Sequence, residues 1–284
     1  MGVGMTRTVI LDGDIPIFQF AMLAEKPTDW GDGFWTLHAQ EYEAKRDMDC
    51  WIDNIVETLD ADKLIVALSH ETNYRYEVLP SYKHNRSNKR QPMLRPVLKQ
   101  YVEDTYDIYK KEGLEGDDIL GILATHPTLI EGQKIMVSID KDLKTIPGKH
   151  YRWSVQGSDI QYFDVDEDEA DMFHLIQTLA GDTTDGYGGC PGIGMVVAER
   201  ILRDEPHTME AESYIVTRGK DKGKESVKYE KVYNDSVTPW MTVCSYYKKA
   251  GLTETHALQQ ARVARICRST DYNYKEKRVI LWTP

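Results

Sequence analysis

The stretch Thr8–Asp14 reads TVILDGD. Thr8–Leu11 is a short apolar run, and Asp12-Gly13-Asp14 stops it, which is the pattern of a buried strand running into a loop. Two runs of the same kind follow, at Lys63–Leu68 and at Lys134–Ile139, the latter ending at Asp140. Asp49–Leu59 spaces Trp51, Ile52, Ile55, Val56 and Leu59 at helical intervals, and Gly116–Ala124 carries Ile119, Leu120, Ile122 and Leu123. Short strands separated by helical segments predict an open parallel sheet and an α/β fold. Ligands of such sheets lie beyond the carboxyl ends of strands, which is where Asp12 and Asp140 fall.

Further along, Asp171–Leu179 is read as a helix, and a Gly-rich loop at Gly186–Gly194 precedes a second one at Met195–Leu202. Gly219–Gly223 is read as a turn between two short strands, and helices are expected at Met241–Lys249 and Glu254–Arg268. A length of 284 residues fits one or two domains. The boundary is placed in the acidic segment Asp164–Glu169, giving domains over 1–168 and 169–284.

The chain has 46 acidic and 35 basic residues, a net charge of -11, which at first sight argues against a polyanionic partner. Placing the charges changes that. Trp153–Glu199 holds ten acids and no Lys or Arg, leaving 36 acids against 35 bases elsewhere. Arg75, Lys83, Arg86, Lys89, Arg90, Arg95 and Lys99 face only Glu77 within 25 residues, and Arg218–Lys231 is a weaker basic block. Such runs are commonly solvated faces, but acidic and basic blocks in one chain also suit an enzyme holding a polyanion and a metal together. Four dispersed cysteines with no CxxC pair predict reduced thiols. No membrane span and no signal peptide are expected, so a cytoplasmic protein is predicted.

Acids recur in four groups, Asp12/Asp14, Glu115/Asp117/Asp118, Asp140/Asp142 and Asp182/Asp185, each near an element end and beside apolar sequence. Each group alone reads best as caps and turns. Four together point to a site for hard divalent cations, because grouped carboxylates are unfavourable unless a cation neutralises them.

These residues carry a resemblance. LDGD at Leu11–Asp14, YKHNR at Tyr82–Arg86, LEGDDILG at Leu114–Gly121, SIDKDLKTIPG at Ser138–Gly148 and GDTTDGYGGCPGIG at Gly181–Gly194 occur in the order found in the 5′-nuclease (flap endonuclease) superfamily. The chain most resembles the 5′–3′ exonucleases of short-tailed bacteriophages, over nearly its whole length. The resemblance implies a Rossmann-like parallel sheet with flanking helices, a helical arch at about 75–109, and a mainly helical helix-hairpin-helix domain that returns to the core at the C-terminus. It implies two Mg²⁺ ions, replaceable by Mn²⁺, on Asp12, Glu115, Asp117, Asp118, Asp140, Asp142, Asp182 and Asp185. Asp14 is read as an extra neighbour.

Lys83 and Arg86 are the implied catalytic cations, since a Lys meets a phosphate as a point charge and an Arg clamps it with two hydrogen bonds. Arg75 is a further phosphate candidate. Tyr82 either stacks on a base or is a packing residue, as Tyr74 also is. Gly192 and Gly194 would let backbone amides approach a DNA phosphate, with K⁺ as a further ion there. The superfamily often has Lys after the last Gly; Met195 stands here, so phosphate contacts pass to Arg200, Lys220 or Lys222. The superfamily also has an Asp after the strand before the arch. This chain reads Leu68-Ser69-His70-Glu71, so Glu71 substitutes, His70 occupies the place, or the ligand is missing.

The expected activity is metal-dependent 5′–3′ hydrolysis of duplex DNA at a 5′ end or flap, with RNA in hybrids as a further substrate, by a monomer in the host cytoplasm. Two rivals are a haloacid-dehalogenase-type phosphatase, for which Pro16 stands where Thr or Val belongs, and a non-catalytic DNA-binding homologue.

Overall fold

The computed structural model describes residues 5–86, 89–153 and 159–284. The chain divides into two compact units. The first comprises 1–74, 88–167 and 266–280; the second comprises 75–87, 168–265 and 281–284.

The first unit opens with β1 (Arg7–Asp12), α1 (Asp14–Leu23), a hairpin of β2 (Glu25–Asp29) and β3 (Trp35–Ala39), the long α2 (Glu41–Thr58), and β4 (Lys63–Ala67). The four-residue α3 (Arg75–Val78) belongs to the second unit. The first unit resumes with α4 (Arg95–Thr105), β5 (Ile108–Tyr109), α5 (Gly116–Thr125), β6 (Gln133–Val137), β7 (Gly148–Arg152) and β8 (Gln161–Val165). Among the described residues six strands form one sheet in the order β5-β4-β1-β6-β7-β8. All pairs are parallel except β7 with β8.

The central place of β1 explains its uninterrupted apolar run. Val9 and Leu11 join Val66, Ile135 and Val137 under Ile17 of α1, Met48 and Ile52 of α2, and Leu98 of α4. Ile10 faces the other way, with Ala67 and Met136, under Ile119, Leu120 and Leu123 of α5. A strand buried on both faces shows no alternation. Because β4 and β6 flank β1 on opposite sides, their carboxyl ends bracket Asp12 at the switch in strand order.

Gly13 and Gly121 are among the glycines that close approach requires. A Cβ on Gly13 would lie 2.5 Å from Val66 Cγ1 and 2.8 Å from Leu68 Cδ2, while its N–H donates to Ala67 O at 2.9 Å. A Cβ on Gly121 would overlap Cys267 O and sit 2.7 Å from Ile146 Cδ1. A backbone neighbour cannot rotate away, so Gly121→Ala should cost at least about 2 kcal/mol through overpacking. Urea unfolding with an unshifted midpoint would contradict this.

The second unit holds α3, α6 (Glu167–Ala180), α7 (Met195–Leu202), a hairpin of β9 (His207–Ile215) and β10 (Glu225–Tyr233), α8 (Pro239–Lys249) and α9 (Glu254–Ala264). Its core gathers Ile176, Leu179, Ala198, Ile201, Val243, Tyr247 and Ala257. In the segment matched to the arch, the described residues form α3, a 3₁₀ turn at His84–Arg86, and α4. Residues 87 and 88 of that segment lie outside the described residues. Among the described residues no helix is long and apolar enough to cross a membrane.

Candidate functional site

Asp12 ends the central strand and is 3 % exposed. Ser138, just past β6, donates its Oγ proton to Asp12 Oδ2 at 2.8 Å. The same Oγ accepts from Asp140 N at 3.0 Å, so one serine orders both strand ends. Burial first, then the charges of Asp14 and Asp140, push the Asp12 carboxyl up to about 7. Asp140 Oδ1 accepts from Asp142 N at 2.8 Å and caps the 3₁₀ turn Lys141–Thr145. Asp14 Oδ2 accepts from Ser69 N at 2.9 Å, which ties the loop after β1 to the end of β4.

The N-terminus of α5 carries the next group. Glu115 and Asp118 form a reciprocal capping box. Asp118 is fully buried; Oδ2 accepts from Glu115 N at 3.1 Å and Oδ1 from Cys267 N at 3.0 Å. Asp118, expected as a metal ligand, thus has a structural part to play. Both its oxygens are turned to backbone amides, and it fixes α5 and the returning C-terminal segment. Asp117 is half-buried on the same first turn.

After β4 the chain continues through Ser69, His70 and Glu71. Glu71 lies 3.1 Å from both Lys99 Nζ and Lys110 Nζ, and Lys110 and Lys99 hold its carboxyl down to about 2. Two lysines thus claim the Glu71 carboxylate. His70 Nδ1 is bonded to Thr72 Oγ1 at 2.9 Å.

The other expected residues belong to the second unit. The turn Tyr82–Arg86 is held by the loop 183–185. Lys83 N donates to Asp185 O at 2.8 Å, and Asn85 Nδ2 donates to Thr183 O at 2.9 Å. Lys83 has φ +52°, a left-handed backbone that a non-glycine residue adopts at some cost. Asp185 accepts from Arg86 and from the Tyr82 hydroxyl, the latter at 3.0 Å, and lies 3.6 Å from Lys83 Nζ. Asp185, expected as a metal ligand, is thus the anchor of the two cations. Asp182 Oδ1 accepts from Thr184 N at 2.6 Å.

Two DNA-contact expectations are corrected here. Arg75 is 2 % exposed; its guanidinium donates to Val263 O at 2.9 Å and Arg265 O at 2.7 Å, so it cannot present itself to a phosphate. Arg75→Met should cost about 3 kcal/mol in urea unfolding, since two buried carbonyls lose their donor. An unchanged midpoint would contradict the buried role. Tyr82 is 3 % exposed and packs with Tyr187, Val263 and Ala264, so it is the packing residue rather than a base platform.

In the glycine turn, Gly192 has φ +80° with open space around it, and Gly194 is the extended cap of α7. Val197 N and Ala198 N turn back to Gly194 O. Arg200, Lys220 and Lys222 are exposed.

A 5′-3′ exonuclease N-terminal resolvase-like domain matches residues 8–172. The chain belongs to the 5′–3′ exonuclease family. It is 32 % identical to the exodeoxyribonuclease of Enterobacteria phage T3 over 97 % of this chain and 92 % of that protein. It is 31 % identical to the exonuclease of Escherichia phage T7, over 97 % and 93 %. The fold resembles that of the phage T5 D15 protein co-crystallised with metal ions, with a TM-score of 0.56, 15 % identity, and coverage of 91 % of this chain and 88 % of that one. This family membership makes the chain a nuclease by descent and removes the phosphatase rival.

Ser138 and Ser69 escaped the sequence reading, because a serine beside an aspartate is too common to single out. So did the pair Gly181 and Gly189. Both have positive φ, and a Cβ on either would overlap the other's backbone. Two glycines eight residues apart carry no signal until the loop closes.

Proposed function

We propose that this nuclease removes nucleotides from the 5′ ends of duplex DNA using two divalent cations, Mg²⁺ or Mn²⁺, held by carboxylates at the carboxyl edge of the sheet. The observation that carries this reading is Asp12. It is a buried carboxylate with Asp14 and Asp140 near enough to raise its proton affinity. A cation relieves such mutual repulsion, and oxygen donors suit a hard one. Among the described residues no group of three or more His, Cys, Asp or Glu side chains is arranged to hold an ion.

Asp12, Asp140, Glu115 and Asp117 are the ligands this reading assigns, with Asp142 beside them, all of them in the first unit. Bound there, the cations supply Lewis acidity, lowering the pKa of a water and stabilising the leaving oxygen. Ser138 holds Asp12 in one orientation, and Asp118 keeps the first turn of α5 in register. Lys83 and Arg86 take the non-bridging oxygens of the scissile phosphate in place of Asp185 and stabilise charge that develops in the transition state. The glycine turn and Arg200 take duplex phosphates, with K⁺ at the turn. Flap cutting and removal of RNA from hybrids in the host cytoplasm extend the same reading.

The test is polarity. With a duplex labelled at the 5′ end of one strand and the 3′ end of the other, Mg²⁺ should release the 5′ label first, as short products. Earlier release of the 3′ label would overturn the assignment.

A pH dependence follows. The folded Asp12 pKa of about 7 exceeds its ordinary value of 3.8, so the folded protein holds the proton longer than the unfolded chain does. Stability of the metal-free protein is therefore greatest below about pH 4 on account of this group, and is lost as pH rises to about 7. Mg²⁺ replaces that proton. It should raise Tm by about 5–10 °C at pH 8 at a hundredfold excess over Kd, and by much less at pH 5. Equal shifts at both pH values would contradict the role of Asp12.

A further inference from the structure

The β9–β10 hairpin is far longer than a structural connection between α7 and α8 requires. Nine residues pair on each strand, from His207↔Tyr233 to Ile215↔Glu225, a ribbon of roughly 30 Å. Its base is built in. His207 is fully buried, Thr242 Oγ1 donates to His207 O at 2.7 Å, and Met209 N donates to Ser245 Oγ at 2.9 Å. Met209 and Tyr229 join the core of the unit. Beyond Met209, every β9 residue is exposed. An isolated two-stranded ribbon is marginal by itself in water, so a projecting one is retained for what it touches.

The charges say what that is. On the strands, Glu212 and Glu230 are both bonded by Lys228, whose pKa they raise, and Lys231 pairs with Asp204. The tip, Val216–Lys224, reads VTRGKDKGK. Asp221 is paired with Lys224 at 2.6 Å. Arg218, Lys220 and Lys222 remain exposed, so Val216–Lys224 carries four bases against one acid, with Glu225 directly after it, in a chain whose net charge is -11. Gly219 and Gly223, both at positive φ, let the tip turn tightly.

We propose that this ribbon is a second DNA-holding arm, in which Arg218, Lys220 and Lys222 grip backbone phosphates of the duplex without regard to sequence, apart from the phosphates at the glycine turn. Two-stranded ribbons suit DNA grooves, and the phosphate rims lie where basic tips reach them. The arm rests on the reading of duplex DNA as substrate. Its consequence is affinity for long duplex and persistence on it between successive cuts.

The test is the salt dependence of binding to a 30-bp duplex, with Mg²⁺ present and an Asp140→Asn background so that the DNA is not consumed. Each phosphate contact contributes about 0.9 to the slope of log K against log salt. Arg218→Gln, Lys220→Gln and Lys222→Gln together should lower that slope by about 2.7, equally on unrelated sequences, with an unchanged thermal melt. Lys220→Arg with Lys222→Arg should preserve it. If the parent binds with a steep slope and the triple variant matches it, the arm is overturned and the nuclease reading stands. If the parent does not bind duplex at all, both fall.

Discussion

Asp12→Asn should lose DNA cleavage by about 10³-fold while the metal-free protein stays folded and becomes no less stable at pH 8. The reasoning begins with shape. Asparagine matches aspartate in size and can still accept from Ser138 Oγ, which now bonds Asp12 Oδ2 at 2.8 Å. What it removes is a charge that burial and the neighbouring Asp14 and Asp140 make unfavourable. Relief of that repulsion offsets any loss of fit, so the melting temperature without metal should hold or rise. Activity moves the other way. A ligand that anchors a catalytic cation contributes several kcal/mol of transition-state stabilisation, and about 4 kcal/mol is a thousandfold in rate. The Mg²⁺-induced rise in Tm should also shrink. Wild-type cleavage by Asp12→Asn, or loss of both fold and activity together, would contradict the assignment.

Arg86→Ala should lower the single-turnover rate by about 10²–10³-fold, the usual cost of removing one preorganised electrostatic partner. Arg86 is half-exposed and bonds Asp185 and Thr184 O. A pair this near the surface contributes at most about 1 kcal/mol, so the variant should fold normally. Arg86→Lys should recover only part of the loss, because a single ammonium cannot make the bidentate contact. Lys83→Ala should fall in the same range, with stability the better control because Lys83 carries left-handed backbone. Rates within threefold of wild type for both variants would place the two residues outside the reaction.

Much of the sheet was legible because buried parallel strands write themselves as apolar runs. Thr8–Leu11, Lys63–Leu68 and Lys134–Ile139 fall on β1, β4 and β6 to within a residue or two. Helices α5 and α7 were equally plain, since apolar spacing and a glycine or acidic start mark them. The hairpin β2–β3 was not, because Trp30, Phe34, Trp35 and Leu37 are exposed and their pattern answers to no core. β7 and β8 form the antiparallel edge, where Lys149 and Asp164 pair in the open, and such strands lose the apolar signal. Helix α9 was read four residues too long. Beyond Ala264 the chain leaves the helix so that Cys267 N can donate to Asp118, a tertiary bond that local spacing cannot announce.

The site divides in the same manner. Asp12 and Asp140 stood out because strand ends are where such sheets place ligands, and the structure puts Asp12 at the end of β1 and Asp140 just past β6 in the central sheet. Asp118 and Asp185 had the same composition and neighbourhood, yet one caps a helix and the other holds Lys83 and Arg86. Arg75 stood in a basic block and is nevertheless a core residue, because two carbonyls near the end of α9 claim its guanidinium.

The central claim is that carboxylates at the carboxyl edge of the sheet hold the cations that cleave DNA. Its most direct test is single-turnover digestion of a 5′-labelled duplex by wild type and by Asp140→Asn, each with Mg²⁺ and with EDTA. Rapid product is expected only from wild type with Mg²⁺. Equal product in all four reactions would contradict the account.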